Sequence, residues 1–295
     1  MTNEEVIQKA HEEFALRGLS HYTVEEYLGT LHIFLRYFEN RPLETMSEHE
    51  IRNFLLYQIE IGKAPGCVNN YNSALRFIFG SVLERNLNCR MIPRQRDRRE
   101  FPAIMSKDEM IRFFSVIDNL RDKAMFETAY GAGLRISEII HLRVQDIDSK
   151  QMRLFVHHGK GGKDRFTLLS QRSLDILREY WKQYRPNRPE GYLFYARSKD
   201  RHILTSHSVQ NAFNKYKTMA DLPETYTVHT LRHCFATHLI ESGVEVCQIK
   251  ELLGHTFMQT TSFYLHLSNM NQSIKSPLDA LPQKCGCKLK VKPDA

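Results

Sequence analysis

The chain has 295 residues, of which 42% are hydrophobic and 25% charged. At roughly 150 residues per domain this suggests about two domains, and the balance excludes a wholly disordered or collagen-like polypeptide. Lys and Arg total 41 against 34 Asp and Glu, a formal net charge of +7, which permits a polyanionic partner without requiring one.

The first ninety or so residues are predicted to be helical. Thr23-Val-Glu-Glu26 has the spacing of a capping box, with Thr23 placed to accept a backbone N–H and Glu26 to reach back. Behind it Val24, Tyr27, Leu28, Leu31, Phe34, Leu35 and Phe38 recur at helical spacing, and Asn40-Arg-Pro42 predicts the helix end. Ser47-Glu-His-Glu50 is a second box, opening a helix that carries Ile51, Phe54, Leu55 and Ile59 and stops near Gly62. Pro65-Gly66 reads as a turn, and Val68 to Leu83 as a further helix through Tyr71, Leu75, Ile78 and Phe79. These stripes are read as core.

Composition then changes. Arg90, Arg94, Arg96, Arg98 and Arg99 fall in one stretch with Pro93 and Pro102. Proline and dense like charge disfavour a packed element, so the stretch is expected to be a linker, either solvated or laid along a phosphate backbone. A third box, Ser106-Lys-Asp-Glu109, starts the second domain. Helices run to about Tyr130, Gly131-Ala-Gly133 breaks them, and Arg135 to Leu142 reads as a short helix. The period then changes to two: Val144 to Asp148, Met152 to Val156 and Arg165 to Leu169 read as strands, with His158-Gly-Lys-Gly-Gly-Lys-Asp164 as the turn between the last two. From Ser170 to about Leu267 the pattern is helical again. The expected fold is mainly α with a small antiparallel β-sheet.

No run approaches the ~18 uninterrupted apolar residues of a membrane span, and the acidic N-terminus has no signal-peptide core. Six scattered cysteines are too few for a disulfide framework in a chain this long. A cytoplasmic chain with no membrane partner is therefore expected. Cys285-Gly-Cys287 has no second Cys/His pair near it in the tail, so a solvated tail is favoured there over a metal site.

The chemistry-bearing residues concentrate in the second half. His229-Thr-Leu-Arg232 puts two polar side chains three apart on one helical face, while Leu231, Phe235 and Leu239 supply a separate apolar stripe. Leu253-Gly-His255 and then Tyr264 follow. Singly, each has a plain structural reading: a capped or core histidine, a core aromatic with its hydroxyl at the surface. His229 and His233 have the i, i+4 spacing of a zinc helix, but Thr230 stands where that motif carries its glutamate and Arg232 would oppose the metal's charge, so no metal is expected.

The order of the motifs is more informative than any one of them. Gly131-Ala-Gly-Leu-Arg-Ile-Ser-Glu138, Gly159-Lys-Gly-Gly-Lys-Asp-Arg165, His229-Thr-Leu-Arg232, Leu253-Gly-His255 and Tyr264 succeed one another over most of the chain. This closely resembles the tyrosine recombinase (phage integrase, Xer-like) family. The resemblance implies a helical, SAM-like core-binding domain at 1–89, a basic linker at 90–102, a catalytic domain at 103–270 and a tail at 271–295, closing as a C-shaped clamp on DNA. The tail would comprise a short helix exchanged between protomers and a basic end. By position, Arg135 matches the first catalytic arginine, Lys160 the lysine of the hairpin turn, His229 and Arg232 the His-x-x-Arg pair, His255 the second histidine and Tyr264 the nucleophile. Glu138 matches a supporting acidic residue. His157-His158, before the glycine turn, departs from the apolar or small residues more usual there.

The implied activity is site-specific recombination or integration of DNA, as in dimer resolution, phage integration or movement of a mobile element. Tyr264 would attack the scissile phosphate, giving a 3′-phosphotyrosyl intermediate and a free 5′-hydroxyl, with no metal, ATP or other cofactor. A tyrosine of ordinary pKa, about 10, is a poor nucleophile at neutral pH and needs its proton taken and the developing charge stabilised. Arg135 and Arg232 would clamp the non-bridging oxygens with permanently charged, planar guanidiniums. Lys160 would protonate the leaving oxygen, His229 would take the tyrosine proton or bond the phosphate, and His255 would add another phosphate bond. Lys163, Arg165, Arg94 and Arg96 are candidates for DNA-backbone contact. The partners implied are double-stranded DNA with inverted-repeat sites and three further copies of the chain, in a tetramer that assembles through the tail and recombines the DNA via a Holliday junction. A type IB topoisomerase-like enzyme and a non-catalytic DNA-binding relic are the alternatives; the intact matched positions argue against the relic.

Overall fold

The computed structural model describes residues 1–96, 102–157, 164–185, 191–196 and 203–254. The chain divides into two compact units, Met1–Glu100 and Phe101–Ala295. No helix among the described residues is long and apolar enough to cross a membrane.

The first unit is built from α1 (Asn3–Leu16), α2 (His21–Tyr37), α3 (Glu48–Glu60) and α4 (Pro65–Phe77), the last running on as a π-helical turn over Ile78–Val82. α1 opens on a capping box between Thr2 and Glu5, and Ser47 and Glu50 cap α3 in the same way. α2 starts earlier than predicted: the Ser20 hydroxyl accepts the Thr23 N–H, so Thr23 lies inside the helix. Leu19 and Val24, on either side of this cap, both pack against the core and fix the point of entry. Pro65 is the first residue of α4 rather than a turn, a position where a missing N–H costs nothing. On α3 the inward stripe is Ile51, Phe54, Leu55 and Gln58, and Ile59 is exposed. Phe34, Phe54 and Phe79 meet edge-to-face at the centre. Past α4 the chain has no regular structure, yet Leu87 and Ile92 are buried, and Arg76 donates to the carbonyls of both. Arg94 donates to Ser73 Oγ at 2.9 Å, and both Arg94 and Arg96 are exposed.

The second unit contains α5 (Lys107–Ser115), α6 (Leu120–Ala132), α7 (Ile136–Ile140), β1 (Ile147–Asp148), β2 (Arg153–Val156), β3 (Arg165–Leu168), α8 (Gln171–Tyr184), α9 (Ser206–Met219), α10 (Val228–Glu241) and α11 (Val246–Leu253). Ser106 and Glu109 form the box that starts α5. The strands make one antiparallel sheet in the order β1-β2-β3, with Leu154 opposite Thr167 and Val156 opposite Arg165. The predicted first strand is shorter than its alternation suggested: Val144–Asp146 forms a 3-10 turn because the Asp146 carboxylate folds back to accept the Arg143 N–H.

α6 and α10 are the central helices, buried on nearly all sides. Their close approach depends on Gly133, which ends α6 in the left-handed region at φ +62°. A Cβ there would lie 2.4 Å from Phe235 Cδ1, so a residue with a side chain would force the helices apart. This packing sets Arg232 of α10 beside the loop that carries Arg135.

Candidate functional site

The site forms around one buried carboxylate. Glu138 lies in the first turn of α7 with only 4% of its side chain exposed. Its Oε2 accepts the Arg135 N–H at 2.8 Å and its Oε1 accepts Arg135 Nη1 at 2.7 Å, which ties the start of the helix to the guanidinium beside it. Arg165, the first residue of β3, donates Nη1 and Nη2 to the two oxygens of the same carboxylate, both at 2.8 Å. Arg232 reaches in from α10, with Nη1 3.7 Å from Glu138 Oε2. Three guanidiniums thus surround one carboxylate.

Backbone carbonyls fix the arginines further. Arg232 donates Nη1 to the Gly133 carbonyl and Nη2 to the Leu253 carbonyl, each at 2.6 Å. Arg165 donates Nε to the Leu252 carbonyl at 2.8 Å. Leu252 and Leu253 end α11, whose last carbonyls lack helical partners and favour nearby cations. The helix stops at Gly254 in the left-handed region, φ +64°, and a Cβ there would meet Arg165 Cδ at 2.8 Å.

The electrostatics follow from this packing. Burial alone would raise the Glu138 pKa, but the hydrogen bonds and charge of Arg165, then those of Arg135, outweigh it and hold the carboxyl down at about 2. The cluster therefore keeps a net positive charge at neutral pH. His229, solvent-accessible at the start of α10, has its pKa lowered from 6.5 by desolvation, then by the positive charges of Arg232 and Arg135. His233, one turn on, is lowered to about 4 by burial first and then by its neighbours His229 and Arg232. Both imidazoles are neutral at pH 7, when a ring nitrogen can accept a proton. Among the described residues no group of three or more His, Cys, Asp and Glu side chains is arranged to hold a metal.

The structure thus brings Arg135, Glu138, His229 and Arg232 together. Lys160, Lys163, His255 and Tyr264 lie outside the described residues, as do Cys285, Cys287 and the tail. Arg165, expected as a DNA-backbone contact, turns inward: its side chain is 7% exposed, and Nε, Nη1 and Nη2 are all bonded within the protein. β3 inverts the usual alternation. Phe166 and Leu168 are 47% and 42% exposed, whereas Thr167 is buried on the face Arg165 shares. A second contact absent from the sequence reading is His157 Nε2 to Asp146 Oδ1 at 2.8 Å, pairing an imidazole at the end of β2 with a buried carboxylate.

Two family models match the chain: "Phage integrase family" over residues 103–271 and "Phage integrase, N-terminal SAM-like domain" over residues 6–89. A putative integrase/recombinase of Sinorhizobium fredii, y4qK, is 36% identical over 290 residues, covering 97% of this chain and 92% of that protein. The tyrosine recombinase XerA of Pyrococcus horikoshii is 30% identical over 267 residues, covering 90% of each. Among solved structures, the XerH site-specific recombinase, in a post-cleavage complex with a palindromic difH substrate, superposes with a TM-score of 0.72 at 21% identity. That match covers 87% of this chain and 80% of the other, and it bears on the fold.

Proposed function

The chain belongs to the phage integrase family and is a tyrosine-type site-specific recombinase, and from that premise we propose that it cuts and rejoins double-stranded DNA through a 3′-phosphotyrosyl intermediate at Tyr264. The observation that carries this reading is the gathering of Arg135, Arg232 and His229 about the ionised Glu138. Two guanidiniums held before substrate arrives are suited to the two non-bridging oxygens of a phosphodiester, and their charge meets the extra negative charge of a pentavalent transition state. His229, neutral at pH 7, takes the Tyr264 proton or bonds the phosphate. Lys160 gives a proton to the leaving 5′ oxygen, and His255 adds a phosphate bond. The phosphotyrosyl link conserves the energy of the broken phosphodiester, so rejoining is the same transesterification run backwards and needs neither metal nor ATP.

Residues 1–89 act as the core-binding domain, 90–102 as the basic connection and 103–270 as the catalytic domain. Arg94 and Arg96, both exposed, serve as phosphate contacts together with Lys163. Four copies pair two inverted-repeat sites and exchange the tail at 271–295, and the DNA passes through a Holliday junction. The test uses duplexes that the chain selects from a random-sequence library, nicked so that cleavage traps the enzyme. The unaltered chain forms a covalent adduct in the presence of EDTA, and Tyr264→Phe binds the duplex but forms none. An adduct that survives Tyr264→Phe refutes the nucleophile, and one that requires added divalent metal refutes the metal-free chemistry. Truncation after Ser268 abolishes strand exchange between two duplexes while sparing binding to one; unchanged exchange refutes the use of the tail.

A further inference from the structure

Arg165 makes three hydrogen bonds within the site, yet the proposed chemistry gives it no part. It makes a two-oxygen pair with Glu138, at 2.8 Å on each side, and its Nε holds the Leu252 carbonyl. We propose that Arg165 is a positioning residue of the cleavage site: it fixes the carboxylate that orients Arg135 and Arg232 and absorbs that carboxylate's charge, so that the charge of the other two arginines is left for the phosphate. The inference rests on the recombinase chemistry proposed above.

Charge balance carries the first part of the argument. Arg135 and Arg232 repel one another and need an anion between them to be held close. An anion that served them alone would also cancel half their field. Glu138 is that anion, and Arg165 is its geometrically matched partner: two parallel N–H···O bonds to one carboxylate against a single side-chain bond from Arg135 and a 3.7 Å approach from Arg232. With Arg165 present, one carboxylate among three guanidiniums leaves a net charge of +2. A phosphodiester carries one negative charge and its pentavalent transition state two, so the surplus is matched to the transition state rather than to the ground state. Without Arg165 the surplus falls to +1.

Connectivity carries the second part. Arg165 opens β3, Glu138 lies on α7, and Leu252 ends α11, so one guanidinium joins three elements. Arg232 grips the neighbouring Leu253 carbonyl. The α11 end, which leads through Gly254 into His255, is thus held by the same pair of side chains that flank Glu138. A lysine at 165 would bring one charge but no fork, and could not serve two carboxylate oxygens and a carbonyl together.

The test compares full-length Arg165→Lys, Arg165→Met and the double variant Arg165→Met/Glu138→Gln with the unaltered chain on the nicked selected duplex, at a temperature where Trp181 fluorescence shows the second unit folded. Positioning predicts that affinity for the intact duplex stays within about twofold of the unaltered value and that its salt slope does not change. The single-turnover rate of adduct formation at saturating DNA falls about 100-fold for Arg165→Met and about 10-fold for Arg165→Lys, the scale of a misplaced reacting group. The double variant, which removes the carboxylate charge that would otherwise fall on Arg135 and Arg232 alone, reacts about 10-fold faster than Arg165→Met. A salt slope reduced by about 0.9 with the saturated rate unchanged makes Arg165 a phosphate contact and overturns the proposal. A rate loss that the double variant does not relieve reduces Arg165 to packing and also overturns it. If the unaltered chain forms no adduct, the recombinase chemistry fails and this proposal with it; an adduct from the unaltered chain with either of the previous outcomes refutes the positioning role alone.

Discussion

Replacing Glu138 with glutamine keeps the shape of the side chain and removes its charge, which isolates the electrostatic part of the cluster. The Glu138 carboxyl titrates at about 2 in the folded protein against an ordinary 4.5. A shift of that size corresponds to about 3 kcal/mol of folding free energy at one unit per 1.36 kcal/mol. Because the folded pKa is depressed, the contribution is fully present above pH 4.5 and is lost as pH falls towards 2. Glutamine also turns an amide N–H₂ towards guanidiniums that have only donors to offer. Removing one partner of a buried ion cluster costs roughly 3–5 kcal/mol, so Glu138→Gln should lose that much stability at pH 7. The gap should then close with acid, because the unaltered chain gives up about 2 kcal/mol of the carboxylate's contribution by pH 3. The measurement is urea unfolding at pH 7, 5.5, 4 and 3, followed through Trp181. It is the one tryptophan of the chain and lies on α8, so it reports the second unit alone. A gap that stays constant from pH 7 to pH 3 would show that the carboxylate is not held ionised by its arginines, and the electrostatic account of the site would fall.

Other consequences can be measured separately. Desolvation, then the charges of Arg232 and Arg135, lower the His229 pKa, so the rate of adduct formation should hold to lower pH than an ordinary histidine would allow; Arg135→Gln, by removing a nearby positive charge, should move the imidazole midpoint upward in ¹³C-histidine NMR, and no upward movement refutes the coupling. Gly133→Ala should destabilise the second unit by more than about 2 kcal/mol in urea, since a side chain there combines left-handed backbone with a 2.4 Å approach to Phe235. Gly66→Ala is its contrast: it lies in α4 with nothing within 4 Å of the new Cβ, and should be neutral or stabilising by up to about 1 kcal/mol. A Gly133→Ala chain as stable as the Gly66→Ala chain would show that the α6–α10 approach is not set by Gly133.

What was legible in the sequence depended on how local the responsible physics is. Ser47 and Ser106 were readable as caps because a capping box closes within four residues. Ser20 and Thr23 show the limit: both are capping residues, and the choice between them falls to Leu19 packing against a core assembled from distant segments. Pro65 reads equally well as a turn former or as a first helical residue, and only the packing of α4 on α2 and α3 selects the second. Arg135, Glu138, His229 and Arg232 could be nominated from ordered motifs. Their convergence depends on α6 meeting α10 at Gly133, which a single glycine in a sequence does not announce. The inward turn of Arg165 is not legible in the sequence either. Binary patterning takes the apolar face of a strand as the buried one, and on β3 Phe166 and Leu168 lie outward because the inner face is committed to Glu138 and to the Ala132 carbonyl that Thr167 bonds.

That inversion bears on why the cluster exists. Three guanidiniums and a carboxylate, all largely removed from water, are a poor way to stabilise a fold, because desolvation consumes most of what the ion pairs return. Phe166 and Leu168 turned inward in their place would give β3 an ordinary buried face. The arrangement makes sense if the cost is met on folding so that it need not be met at reaction: dipoles and charges already aimed at a phosphate require no reorganisation when negative charge develops on it. Stability and rate should therefore separate. In Arg165→Met/Glu138→Gln the folding free energy should return part of the way from that of Glu138→Gln towards the unaltered value, since one of the three buried cations left without an anion has gone while Arg135 and Arg232 remain. Adduct formation should nevertheless stay slower than in the unaltered chain, because Arg135 and Arg232 have lost the anion that held them together. A double variant that regains both in parallel would mean that the cluster serves folding alone.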